Sequence, residues 1–334
     1  MKVLRLSALA AVFWATLLAL APVPVLAESP SRADLWLQKL GPAMNLTTYR
    51  GVFVYARGEQ VHSMQIAHRY HEGQVQERLV QQDGAGGEIL RKGERVLCVL
   101  PDHGRVQLDQ VIPSGPFAEA MASQWVPDSR WYQSVLLEDD RVAGHTTVQV
   151  ALEARDAHRY SYRLWLEKNT GLLVKSHVRT ASGEVLERFQ FTSLEIIDSL
   201  PDSEFELQTE GRIIKNRALA GEPAPAESRM SGWRLGWRPD GFVPAVAPRS
   251  GGKPAVAFSD GLATFSVFVE STGAMAMPTG VSRIGATTAY MRHVEAGDAG
   301  YLITVIGEIP PATAMRLAES VEVDAPVLGG TTTQ

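Results

Sequence analysis

The stretch Asp156-Ala157-His158-Arg159-Tyr160-Ser161-Tyr162-Arg163-Leu164-Trp165-Leu166-Glu167-Lys168-Asn169-Thr170-Gly171-Leu172-Leu173-Val174-Lys175-Ser176 decides how the rest of the chain is read. Tyr160, Tyr162, Leu164 and Leu166 fall on one side of a two-residue repeat, and Ser161, Arg163 and Trp165 on the other. That alternation predicts a half-buried strand. Lys168-Asn169-Thr170-Gly171 supplies turn chemistry, because Asn and Gly tolerate positive φ. Leu172 to Thr180 then returns as a second strand. A lone hairpin is marginal, so further strands must flank it.

They are present on both sides. Upstream, Gly51–Arg57, His62–Tyr70, Gln74–Gln82, Glu88–Lys92 and Arg95–Leu100 are separated by glycine-containing turns, the spacing of an antiparallel meander. Trp131–Glu138, Thr146–Ala154 and Leu186–Ile197 complete the set. Ser31–Met44 reads as a helix, with Trp36, Leu37, Leu40 and Met44 on one face. Pro42 is expected to weaken its last turn. Phe117–Ser123 is a second, shorter helix candidate. Together they predict a large antiparallel sheet curled around helices.

Ala218–Ser228 is rich in Ala, Gly, Pro and Glu and has no apolar period, so it reads as a linker. Beyond it a smaller unit begins at Trp233–Trp237. Ala255–Phe258, Ala263–Val269, Thr287–His293 and Tyr301–Gly307 are expected strands. A helix is expected from Pro310-Pro311 to about Val321, with Ala314, Leu317, Ala318 and Val321 at the spacing of a packed face. The division is 1–27 leader, 28–200 large domain, 201–231 linker, 232–323 small domain and 324–334 tail. The fold class is α+β: a large N-terminal antiparallel half-barrel, then a smaller antiparallel sheet with one helix.

The leader has Lys2 and Arg5, an apolar run from Leu6 to Leu20, and Val25-Leu26-Ala27 before the expected cut. No cysteine follows that run, so a bacterial lipoprotein is excluded. The sequence has 32 basic and 37 acidic residues, of which the leader takes two basic and no acidic ones. The mature charge is therefore 30 minus 37, about −7. No basic tract stands out, which argues against nucleic acid as a partner. Cys98 is the single cysteine, so no intramolecular disulfide can form, and its apolar neighbours make it a core residue. His68 and His71 would lie on opposite faces of a strand, and no metal-ligand spacing is present. A copper role for Met275 and Met277 is weaker than that of an adaptable apolar loop. No P-loop, nucleophile elbow or dinucleotide fingerprint is found. The pattern points to binding rather than catalysis, with no cofactor.

Several segments resemble the MucB/RseB family of periplasmic regulators of envelope-stress sigma factors. They are Tyr49-Arg50-Gly51-Val52-Phe53-Val54-Tyr55, His158–Ser176, Leu186–Phe191, Phe258-Ser259-Asp260-Gly261-Leu262-Ala263-Thr264-Phe265-Ser266-Val267-Phe268-Val269, and Gly307-Glu308-Ile309-Pro310-Pro311. The resemblance implies a large domain similar to LolA/LolB lipoprotein carriers, with an apolar cavity. It also implies a small domain that helps to hold the periplasmic part of a MucA/RseA-type anti-sigma factor. The bound protein would shield that partner from regulated proteolysis, and lipopolysaccharide or another acylated envelope ligand would displace it. A plain lipid or lipoprotein carrier is the alternative, and self-association is left open. Phe53, Tyr55, Tyr160, Tyr162, Leu164, Phe189 and Phe191 share faces and are the lipid-cavity candidates, with an ordinary closed core as the competing reading. Asp260, Leu262, Phe265 and Phe268 are the partner-binding candidates.

Overall fold

The structure is a computed structural model that describes residues 31–84, 86–93, 95–100, 126–208, 212–215, 230, 232–245, 255–272, 278–297 and 299–324. The leader, the Phe117–Ser123 helix and the Met275–Met277 loop lie outside them.

Helix α1 (Arg32–Leu46) precedes β1 (Tyr49–Arg57), β2 (Gln60–His71), β3 (Gln74–Gln81), β4 (Gly87–Lys92) and β5 (Arg95–Leu100). Next come β6 (Tyr132–Val142), β7 (His145–Ala154), β8 (Ser161–Glu167), β9 (Leu173–Arg179), β10 (Val185–Ile196) and β11 (Arg212–Lys215). These eleven strands make one antiparallel sheet in the order β11-β5-β4-β3-β2-β1-β10-β9-β8-β7-β6. Two meanders are thus joined where β1 meets β10, with Tyr49 opposite Ile196.

The sheet curls strongly, as its twist favours. At the tip of the β6–β7 hairpin, His145 Nε2 lies 3.1 Å from the Leu194 carbonyl oxygen of β10. Val142 there packs with Phe53, Trp165 and Phe191. The hollow is filled by α1, whose Ala33, Leu37 and Leu40 pack among Val150, Leu152, Leu164 and Leu166. The hairpin turn needs its glycine twice over. Gly171 has φ +85°, and a Cβ there would lie 2.9 Å from Lys39 Cβ on the helix. Glu167 ties the turn by accepting the Thr170 backbone N–H at 2.8 Å and the Asn169 N–H at 3.1 Å.

The small unit contains β12 (Trp233–Leu235), β13 (Val243–Ala245), β14 (Ala255–Ser259), β15 (Thr264–Ser271), β16 (Gly280–Ile284), β17 (Thr287–Ala296), β18 (Ala299–Gly307), helix α2 (Pro311–Glu319) and β19 (Val321–Val323). Six of its strands form the sheet β13-β14-β15-β18-β17-β16, and β12 pairs separately with β19. Ala314, Leu317 and Ala318 of α2 are wholly buried against Phe265, Val267, Ile303 and Val305.

Four expectations are corrected. Helix α1 runs through Pro42 to Leu46, because burial of Leu37, Leu40 and Ala43 outweighs one missing N–H bond. The strand β8 is buried on both faces: Trp165, expected outside, is 4% exposed and donates to Asp140 Oδ2 at 2.8 Å. The last helix stops at Glu319, and Val321 opens a strand opposite Leu235. The stretch 201–231, read as a linker, begins with a 3-10 turn, Asp202–Phe205, whose Phe205 is wholly buried, and gives β11 to the large sheet.

Candidate functional site

The two sheets meet through a closed polar contact. Arg159, just before β8, and Asp260, in the turn between β14 and β15, form an ion pair with Arg159 Nη1 2.6 Å from Asp260 Oδ2. Neither side chain reaches solvent. The turn aims Asp260 by its own backbone: Oδ1 accepts the N–H groups of Leu262 at 2.9 Å and Ala263 at 2.8 Å. Oδ2 also accepts the Tyr132 hydroxyl at 3.0 Å. Arg159 donates further to Asp156 and, at 2.6 Å, to the Asp240 carbonyl. The rings of Trp131, Tyr132 and Phe242 surround its guanidinium at 5.2, 5.6 and 5.0 Å. Burial opposes its charge, but the Asp156 hydrogen bond and the Asp260 charge outweigh that and raise its pKa. Burial first, then Asp260, pushes the Tyr132 phenol well up. Tyr160 adds a bond from its hydroxyl to the Ile309 carbonyl at 3.3 Å.

A second contact lies beside the turn between β16 and β17. Buried Glu187 of β10 accepts from the Tyr55 hydroxyl at 2.5 Å and from the Ala286 N–H at 2.9 Å. Arg57 Nε sits 3.2 Å from its Oε1 and donates to the Ile284 carbonyl at 3.2 Å. Arg57 also reaches the Thr287 hydroxyl. Gly285 makes this approach possible: φ is +59°, and a Cβ would lie 2.5 Å from Arg57 Cγ. Half-buried Glu308, at the end of β18, has its pKa raised to about 8 by burial and then by the Glu187 charge, against a smaller opposing effect of Arg57.

The seven aromatic and aliphatic candidates divide. Tyr160, Tyr162 and Leu164 are buried in the cluster under α1, which Leu262 and Ala286 of the small unit also enter. Phe53 and Phe191 are buried in a neighbouring cluster with Tyr55 at its margin, and half-buried Phe189 touches both. An open groove of about 830 Å³ lies instead on the outer side of α1, lined by Arg32, Leu35, Trp36, Lys39, Leu46 and Thr170 among others. None of the seven lines it. Of the four partner candidates, Asp260 and Leu262 join the sheets, and Phe265 is core of the small unit. Phe268 is half-buried against Ala255 and Ala257. His68 is buried, stacked on Tyr49 at 4.8 Å, with Nδ1 2.9 Å from the Thr47 carbonyl oxygen. Among the described residues no three His, Cys, Asp or Glu side chains gather as a metal site would require.

Residues 32–209 match the family model of the MucB/RseB N-terminal domain, and residues 227–322 that of the MucB/RseB C-terminal domain. The chain belongs to the MucB/RseB family. It is 32% identical over 307 residues to the sigma factor AlgU regulatory protein MucB of Pseudomonas aeruginosa, covering 90% of this chain and 93% of that protein. The sigma-E factor regulatory protein RseB of Haemophilus influenzae is 27% identical, covering 86% of this chain and 90% of the relative. The crystal structure of MucB in complex with MucA(peri) is 31% identical, covers 88% of this chain and 99% of that one, and superposes with a TM-score of 0.69.

What the sequence did not reveal in this MucB/RseB chain is the pairing at its centre. Arg159 reads as a residue before a strand and Asp260 as a turn former. Their partnership spans 101 residues, and no local pattern encodes it. Glu187 and Glu308 each sit in segments that carry the family resemblance, but their spacing along the chain says nothing of their meeting.

Proposed function

We propose that this protein is a sigma-factor regulator that works by binding, not catalysis. Its target would be the periplasmic part of a MucA/RseA-type anti-sigma factor, which it shields from regulated proteolysis. The observation that carries this reading is the match, over both domains, to a MucB that was solved in complex with MucA(peri). The Arg159–Asp260 contact supports it, because a partner bound to both domains needs them held in a defined relation. Export through residues 1–27 would put the mature chain in the periplasm with its partner.

An acylated envelope ligand such as lipopolysaccharide would act by linkage: if it prefers the unbound conformation, it weakens the partner's affinity. The groove along α1 is of the size that ligand sites use and has apolar walls with basic Arg32 and Lys39 at its rim. We assign the acyl chain to it.

The test is a titration of the purified protein with the periplasmic segment of the host's anti-sigma factor, with and without lipopolysaccharide. Binding in the nanomolar to micromolar range that lipid weakens is expected. Absence of binding, with lipid retained on the protein, would transfer the chain to the carrier reading.

A further inference from the structure

The outer face of the large sheet, away from α1, carries a row of basic side chains. Arg163 of β8 lies directly opposite His177 of β9, and His177 directly opposite Arg188 of β10. Adjacent strands are about 4.8 Å apart, so the row spans roughly 10 Å. Lys175 and Arg179 flank His177 two positions away on the same face of β9. Trp165 completes the floor: the Lys175 ammonium lies 4.3 Å from its ring centroid, and the His177 ring meets it edge-on at 4.8 Å.

Counter-charge reaches the row from Asp140, at its Lys175 end. Among the described residues, Arg163 and Arg188 form no ion pair, and the Arg163 Nε and His177 Nε2 nitrogens are buried without a hydrogen-bond partner. Arg179 donates to the Gly183 carbonyl, and Asp140, bonded to Trp165, is the acid that acts on Lys175. A histidine set between two arginines is held neutral by their charge, and buried donors without acceptors cost stability. A chain with net negative charge has nonetheless gathered these groups on three adjacent strands.

We propose that Arg163, Lys175, His177 and Arg188 form a binding site for a phosphate group. Guanidinium and ammonium groups donate and never accept, and the planar arginine fork matches a tetrahedral oxyanion in two-point contacts. The phosphate can belong to a soluble phosphorylated molecule or to a phospholipid headgroup. The site shares no residue with the junction of the sheets or with the groove, so it stands apart from the regulator reading. His177 is its internal reporter. Burial, followed by the charges of Arg188, Lys175, Arg179 and Arg163, lowers its pKa to about 4. A phosphate above the row opposes that field and must move the histidine back towards its ordinary range.

The experiment follows the His177 ring signal of the full protein by NMR across pH, in inorganic phosphate and in chloride at equal ionic strength. An upward shift of about one pH unit or more in phosphate is expected. Arg188 is exposed and forms no ion pair among the described residues, so Arg188→Gln should fold normally and weaken the phosphate response roughly tenfold, while Arg188→Lys retains most of it. Co-sedimentation with phosphatidylglycerol vesicles, against phosphatidylcholine vesicles, separates the sources. Sedimentation with the anionic vesicles alone, lost in Arg188→Gln, together with no effect of free phosphate, assigns the group to a lipid. A response to free phosphate assigns it to a soluble anion. The proposal is overturned if neither probe acts, or if Arg163→Gln and Arg188→Gln leave the response intact.

Discussion

Arg159 and Asp260 meet at 2.6 Å with no solvent access to either side chain, so one buried ion pair ties the large sheet to the small one. Such a pair adds little over a well-packed apolar contact, but breaking it leaves an uncompensated charge. Asp260→Ala is therefore expected to destabilise the protein by about 3–5 kcal/mol in urea unfolding. Replacing both members, as Arg159→Met with Asp260→Leu, should recover a large part of that loss. A single variant within about 0.5 kcal/mol of the parent would show that the contact carries no strain of this kind.

Glu308 gives the junction a pH dependence with a definite sign. Its pKa is raised from an ordinary 4.5 to about 8, so the folded state holds a proton that the unfolded state has released. Stability should therefore fall as pH rises from about 4.5 to about 8 and show no further loss from this group above that. Glu308→Gln should flatten the slope and raise the melting temperature at pH 8.5 relative to the parent. Parallel melting curves for the two proteins from pH 5 to pH 9 would rule this out.

Gly285 stands where an added methyl meets Arg57 and Glu187. Gly285→Ala combines a left-handed backbone with a displaced ion pair and should cost roughly 1–3 kcal/mol. Thermal unfolding measures it, and Gly297→Ala is the control. That position also has positive φ, +64°, yet nothing lies within 4 Å of an added Cβ. The excess loss in Gly285→Ala is the cost of the crowded contact alone.

Leu164→Ala and Leu46→Glu separate core from groove. Leu164 is wholly buried under α1, so its truncation should cost about 2–5 kcal/mol. Leu46 is 57% exposed at the groove. Its charged replacement should change stability by less than about 0.5 kcal/mol while reducing lipid retention. Lipid extraction and mass measurement of the purified variants provide the comparison. Full lipid retention in Leu46→Glu would place the acyl chain elsewhere.

The parts of this fold that the sequence disclosed are those stabilised by their own repeat. The i, i+3, i+4 spacing of Ala314, Leu317 and Ala318 repeats the burial that the structure shows, and the alternation in Ser161–Glu167 located its strand although both faces of it are buried. Val243–Ala245, Gly280–Ile284 and Val321–Val323 escaped notice because strands this short hold their shape through neighbours rather than through local preference. Trp165 misled because the two-residue repeat assumes one wet face, whereas the curl brings Val142 over the other. The basic row was illegible for the same geometric reason. Arg163, His177 and Arg188 are scattered in sequence and become neighbours through register.

Each unit pairs an early strand with a late one. In the large unit β1 lies against β10, and in the small unit β12 lies against β19. Neighbouring strands of a meander can zip early, yet these pairings must wait for a strand from far along the chain. Contacts so distant along the chain slow folding and prolong the exposure of unpaired strand edges. The β1 edge waits longest, unprotected until Val185–Ile196 arrives.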